Sequence, residues 1–176
     1  MKISRLLGIF LLLFSASLAF AGDRPDIEKG PSCELCEMSR DKFSHSRALI
    51  EWENGTETPV CSLNCAIAKL DPEPALKVKR ILVADHDTKE LVDASKAFWV
   101  IGGSERGVMT KEPKWAFASR ESAEKFIKNN GGEMSSWEDA RNRARQDIKR
   151  RTPKKTEPSS RETMEKSHEG MEKKHD

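Results

Sequence analysis

The chain has 176 residues, 36% of them hydrophobic and 34% charged, with a mean hydropathy of −0.68. So low an apolar fraction supports one domain or two small ones and leaves part of the chain outside any core. Residues 22–140 carry a net charge of −5 and residues 141–176 a net +5. That acidic body, with 6% aromatics and no tyrosine, excludes a nucleic-acid-binding domain by charge and leaves little for base stacking.

Residues 1–21 read as a secretory signal. Lys2 and Arg5 give a positive start, residues 6–14 an apolar stretch, and Ala19-Phe20-Ala21 a small-x-small cleavage site. The apolar run is too short to anchor the chain in a bilayer. No cysteine follows it closely, so neither a membrane nor a lipid anchor is expected. The expectation is an exported protein, periplasmic or secreted.

The body divides into two segments of similar pattern, expected at 22–95 and 96–140. In the first, residues 46–52 alternate in character, Asn54-Gly55 is a hairpin turn, and residues 56–61 return as the partner strand. Ser62 caps a short helix through Leu70, before Asp71-Pro72 and Pro74 break it. Residues 78–84 (VKRILVA) form a buried-type strand. In the second segment, residues 96–101 and 114–118 form strands, with Gly102-Gly103 turning the chain between them. Ser119 caps a helix with the apolar stripe Ala123, Phe126 and Ile127, stopped by Gly131-Gly132, and residues 133–135 close the unit. Cys61-Ser62 aligns with Ala118-Ser119, so the second unit reads as a copy of the first without its thiols. The fold class is therefore α+β, with two related ββαβ units. Residues 136–139 form a capping box opening a final helix to about Arg150. The remainder of the 141–176 segment, beyond Thr152, has almost nothing to bury and reads as a disordered charged tail.

In an exported protein an even number of cysteines usually means disulfides. Here all four lie between positions 33 and 65, in a body large enough for a core without staples. Cys33-x-x-Cys36 and Cys61-x3-Cys65 each let two sulfurs turn toward one metal. Glu37 after the second cysteine excludes c-type haem attachment, and the first pair has no strand ahead of it, as a thioredoxin-like site needs. Four thiolates suit zinc, whereas Met38 adds a soft thioether that Cu(I) favours. Three readings stay open on the residues alone: a Cu(I) site, a zinc- or disulfide-stabilised partner-binding protein, and a thiol redox protein. No catalytic set, phosphate-cradling glycine loop or nucleotide fingerprint is readable, so no enzyme is expected. His45, Asp93 and the run Asp85-His86-Asp87 read most simply as turn residues.

Residues 33–38 (CELCEM) resemble the C-x-x-C-G-M motif of the NosL copper-protein family. Residues 59–65 (PVCSLNC), 83–94 (VADHDTKELVDA), 97–103 (AFWVIGG), Gly107-Val108-Met109, Ala116-Phe117 and 123–126 with Gly131-Gly132 follow in the family's order, over roughly 33–140. The resemblance implies a pair of related ββαβ units and an exported protein binding one Cu(I). It also implies delivery to nitrous oxide reductase or a related client copper enzyme, with its membrane assembly complex as a further partner. The ligands it implies are Cys33, Cys36 and Met38, closed by Met109 from the other unit. A weaker likeness, to small metal-sensing modules, involves Cys36, Cys61 and Cys65. Three features depart from the family pattern. Glu37 replaces a glycine, Cys65 is an additional thiol open to a Cys61–Cys65 disulfide or a thiol-richer metal site, and the lipid-acceptor cysteine is absent.

The tail holds a seven-residue period, Met164…His168 then Met171…His175. On a helix these four copper-type donors share one side, and they suggest a weak gathering site for copper.

Overall fold

The computed structural model describes residues 24–71 and 75–151; the signal-like segment and the Met/His tail lie outside the described residues. The elements run α1 (Pro25–Lys29), β1 (Ala48–Trp52), β2 (Glu57–Val60), α2 (Leu63–Lys69), β3 (Val78–Ala84), β4 (Leu91–Asp93), β5 (Phe98–Ile101), β6 (Lys114–Phe117), α3 (Arg120–Asn130), β7 (Glu133–Ser135) and α4 (Trp137–Arg151). They form two antiparallel sheets, ordered β2-β1-β3-β4 and β6-β5-β7. In both, the first strand of a hairpin lies between its partner and the strand that returns after the helix. That shared order is the α+β pair of ββαβ units expected from the sequence.

The local signals act as expected at the boundaries. Asn54 accepts from the Thr56 amide at 3.0 Å across the β1–β2 turn, and Gly55 takes φ 85 there, a conformation that favours glycine. Ser62 and Ser119 cap α2 and α3, accepting from the amides of Cys65 and Ser122. Ser136 caps α4 through the Asp139 amide at 3.1 Å. The Asp139 carboxylate accepts instead from the Ser135 hydroxyl at 2.8 Å, so the expected box is only half made.

A parallel bridge between Asp85 and Ala116 joins the two sheets, and the Ala118 amide donates to buried Asp85 at 3.0 Å. The Asp85-His86-Asp87 run is a turn, with the Thr88 amide donating to Asp85 at 2.9 Å. α4 packs on α2 and β5 through a narrow stripe of Ala140, Ala144 and Asp147, while Trp137 stacks on Trp99 with ring centroids 5.6 Å apart.

Two buried polar knots lock this frame. In the first, Asp26 on α1 sits between two buried guanidiniums. Arg40 Nη2 lies 2.8 Å from its Oδ2, and Arg47 Nε 2.7 Å from the same oxygen. In the second, Asp147 of α4 takes Lys114 Nζ at 2.8 Å, Asn64 Nδ2 at 3.3 Å and the Thr110 hydroxyl.

Burial raises the pKa of Asp26, but the hydrogen bonds and charges of Arg47 and Arg40 outweigh it and hold the carboxyl below its ordinary value. Its contribution to stability is therefore complete above about pH 3.9, the unfolded value, and is lost as pH falls through the lower folded value. Asp26→Asn leaves two buried cations under-compensated and lowers unfolding free energy by about 3 kcal/mol. Urea unfolding near neutral pH reads that loss, and the difference between the two chains narrows at the acid end of the range.

Candidate metal centre

The thiols are brought together by three short segments. Residues 33–38 form a tight loop in which the Cys33 amide donates to the Met38 carbonyl at 2.9 Å and the Glu37 amide to the Cys33 carbonyl at 2.8 Å. Glu37 has φ 62, the left-handed conformation that a glycine would take without strain. The loop is fastened to β2 by the Glu34 amide, 3.0 Å from the Pro59 carbonyl. Its approach depends on Gly30, where an added Cβ would meet Pro59 Cγ at 2.6 Å. Cys61 follows β2, and Cys65 lies one turn later on α2, its amide bonded to Ser62 Oγ at 3.3 Å.

Arg40 aligns these pieces. It donates to the carbonyls of Gly30 at 2.7 Å and Val60 at 3.2 Å, so one side chain fixes the approach to Cys33 and the residue before Cys61. The Ser46 hydroxyl adds a bond to the Cys61 carbonyl at 2.9 Å.

The four sulfurs then lie within 4.8 Å of one another. Cys36–Cys61 is 3.5 Å, Cys61–Cys65 3.7 Å and Cys65–Cys36 3.8 Å. All four are free thiols, and only Cys36 is less than fully buried. A tetrahedral ion with metal–sulfur bonds of about 2.3 Å has ligand edges of about 3.8 Å, so these separations already suit one soft ion.

Crowding splits the acidities. Cys65, accepting hydrogen bonds from Cys61 and other neighbours that outweigh its burial, is brought down to about 6. Cys36, desolvated by burial, is pushed up to about 11. Cys61 rises because it donates to Cys65 and is itself buried. Of these three thiols, Cys65 ionises readily and Cys36 and Cys61 resist.

The two methionines occupy different places. Met109 lies on the β5–β6 loop with φ 56, and the Asn64 side chain donates to its carbonyl at 3.1 Å. It lines, with Leu35, Cys65, Ile148 and Arg151, a pocket of about 220 Å³. The second unit thus delivers a thioether to the pocket that opens on Cys65. Met38 packs against the core that contains the thiols, and its amide donates toward the Cys36 sulfur.

The histidines belong elsewhere. His86 lies between Asp87 and Glu105, at 3.2 and 3.1 Å, with its ring against Trp115, Phe126 and His45. Arg40, Asn64 and Asp147, which position the site, give no sequence signal beyond a polar residue placed among buried ones.

These features define a small α+β protein of paired ββαβ units with a buried cage of free thiols at the end of its first hairpin. The chain belongs to the NosL family, whose profile matches residues 24–144. Two solved structures are similar to it. The crystal structure of the copper chaperone NosL from Shewanella denitrificans is 24% identical, with 61% of this chain and 87% of that chain covered and a TM-score of 0.49. The solution structure of apo-NosL from Achromobacter cycloclastes is 28% identical, with 52% and 82% covered and a TM-score of 0.38. No curated protein matches the chain.

Two measurements check the site. Ultraviolet absorbance of the reduced, metal-free protein shows a thiolate forming near pH 6 that is lost in Cys65→Ser, whereas the Cys36 thiol ionises only near pH 11. Glu37→Gly removes a left-handed non-glycine residue and raises the stability of the metal-free protein by about 1 kcal/mol, read as a higher Tm.

Proposed function

We propose that this protein is an exported Cu(I) metallochaperone, not an enzyme. It carries one cuprous ion on thiols drawn from Cys33, Cys36, Cys61 and Cys65, with Met38 and Met109 as the softer donors beside them. One observation carries this reading: four unbridged sulfurs converge within 4.8 Å, and Cys65 lines a pocket together with Met109. Membership of the NosL family supports it, and so does the donor chemistry, since thiolate and thioether ligands are soft donors that suit Cu(I).

Transfer needs an exposed edge, and the cage has one. Cys33, Cys61 and Cys65 are buried to 1% or less, while Cys36 is partly exposed and the pocket opens beside Cys65. An incoming client donor attacks from that side and adds to the ion before a cage ligand leaves. No electron moves; a departing thiolate takes a proton from solvent. The client, by the family resemblance, is nitrous oxide reductase or a related copper enzyme, reached through its membrane assembly complex. No helix among the described residues is long and apolar enough to cross a membrane, and export rests on the signal-like segment.

A zinc reading is favoured by one specific feature, the near-tetrahedral sulfur spacing. Anaerobic titration of the reduced chain separates the two. Cu(I) binds one per chain, and Cys36→Ser or Cys61→Ser weakens it by more than the roughly 10–100-fold that outer-shell losses cost at metal sites. Met109→Ala weakens Cu(I) but leaves zinc unaffected. Tight zinc with no measurable Cu(I) overturns the proposal.

A further inference from the structure

A second cavity, of about 350 Å³, shares no lining residue with the pocket beside Cys65, and volumes of that order hold small molecules. Its apolar lining is Leu70 at the end of α2, Val78 and Ile81 of β3, and the half-buried Trp137 of α4. The rest is strongly basic. Arg141 and Arg145 follow Trp137 at intervals of four residues, along one face of α4, and Lys79 and Arg80 line the cavity from β3.

The four cations are unequally engaged. Arg80 gives Nε and Nη2 to Glu51 at 2.7 and 2.8 Å, and Lys79 lies 3.7 Å from the same carboxylate. That pair is held by a residue outside the cavity. Arg141 gives Nη2 to Glu138 at 2.8 Å and its guanidinium lies 6.0 Å from the centre of the Trp137 ring. Its Nε, however, is buried with no hydrogen-bond partner among the described residues. Arg145 is half-buried and has neither an ion pair nor a hydrogen bond among the described residues. The one carboxylate in the lining, Asp93, accepts from the Ser95 amide and hydroxyl at 2.8 and 2.6 Å. Two guanidiniums one helical turn apart repel each other, and a desolvated donor without an acceptor is unfavourable. An oxyanion between them relieves both costs.

We infer that this cavity binds a small organic oxyanion, a carboxylate or phosphate monoester on an apolar body, clamped by Arg141 and Arg145 with its body against Trp137, Leu70 and Ile81. Guanidinium forks match either oxyanion with paired N–H donors. Lys79 and Arg80 add positive potential without giving up Glu51. No cysteine or methionine lines the cavity, so the inference stands whether or not the thiols carry copper.

The test is an NMR titration of the full chain, reduced and metal-free, with benzoate, phenyl phosphate, neutral benzamide and inorganic phosphate. We expect the Arg141 Nε–H and Trp137 indole N–H signals to move saturably with benzoate and phenyl phosphate, the tighter of the two naming the oxyanion, and to stay still with benzamide. Phenyl phosphate binds at least several-fold more tightly than inorganic phosphate, because its ring uses the apolar lining. Arg145→Gln, which removes no bond from the folded chain, weakens binding at least tenfold; Arg145→Lys, with a charge but no fork, restores part of it. Arg120→Gln, on α3 and outside the cavity, changes nothing. Shifts that never saturate, equal affinity for phenyl and inorganic phosphate (an adventitious ion only), or binding unaltered in Arg145→Gln each overturn the inference.

Discussion

One buried side chain makes the thiol cage possible. The guanidinium of Arg40 is fully buried, and its five N–H donors meet five acceptors: the carbonyls of Asp26, Gly30, Ala48 and Val60 and the Asp26 carboxylate. Those acceptors belong to α1, the chain leading to the Cys33 loop, β1 and the end of β2. Burying a cation is expensive unless charge and hydrogen bonds are both satisfied, so this arrangement tolerates little displacement of any of the four segments. Lysine, with three donors and no planar fork, could not tie them all. The Cys33 loop and Cys61 are held in register by this network before any metal arrives.

A second constraint brings the far unit to the cage. Asn64 sits on α2 immediately before Cys65, and its amide group donates both to the Met109 carbonyl and to Asp147. Asp147 in turn holds buried Lys114 and Thr110. Burial raises the Asp147 carboxyl, yet its bonds to Lys114, Thr110 and Asn64 more than compensate and keep it ionised. One polar residue on the cysteine helix therefore positions the loop that carries Met109. The positive φ values of Glu37 and Met109 fall on the two loops beside the sulfurs, and backbone strain of that kind persists where surrounding structure over-determines it.

Much of this was legible in the sequence because it is local. Strand alternation, the Asn54-Gly55 turn and the serine caps each act over a few residues. β3 and β7 lie where the pattern puts them, and the doubling of ββαβ follows from reading the two patterns together. The convergence of Cys33/Cys36 with Cys61/Cys65 was legible as a candidate because each pair has metal-ligand spacing by itself. What escaped was non-local or too short. α1 buries only Ile27, and β4 has three residues, none fully buried, so neither leaves a periodic signal. Arg40, Arg47, Asp26 and Asp147 look like surface charges in the sequence, and nothing local marks them as buried partners. Nor does the linear pattern distinguish Met109 from Met38: both pack against the core that contains the thiols, and Met109 also lines the pocket.

The electrostatics of the cage bear on which ion it suits. Each sulfur that ionises beside an existing thiolate, in a buried setting, pays both desolvation and like-charge repulsion. Cys65 ionises early because Cys61 and other neighbours donate to it; Cys61 is raised by donating that bond and by burial, and Cys36 chiefly by burial. A monovalent ion bound by two thiolates leaves a net charge of −1, and with one thiolate and neutral thiol or thioether donors the site is neutral. A divalent ion in a full tetrathiolate leaves −2. The sulfur positions accommodate either ion, and on the Cu(I) reading proposed above fewer thiolates leave less charge to bury. On that reading, donors that remain protonated or neutral bind weakly and exchange fast, and the proposed Met109 thioether, on the loop whose carbonyl Asn64 holds, is a donor of that kind.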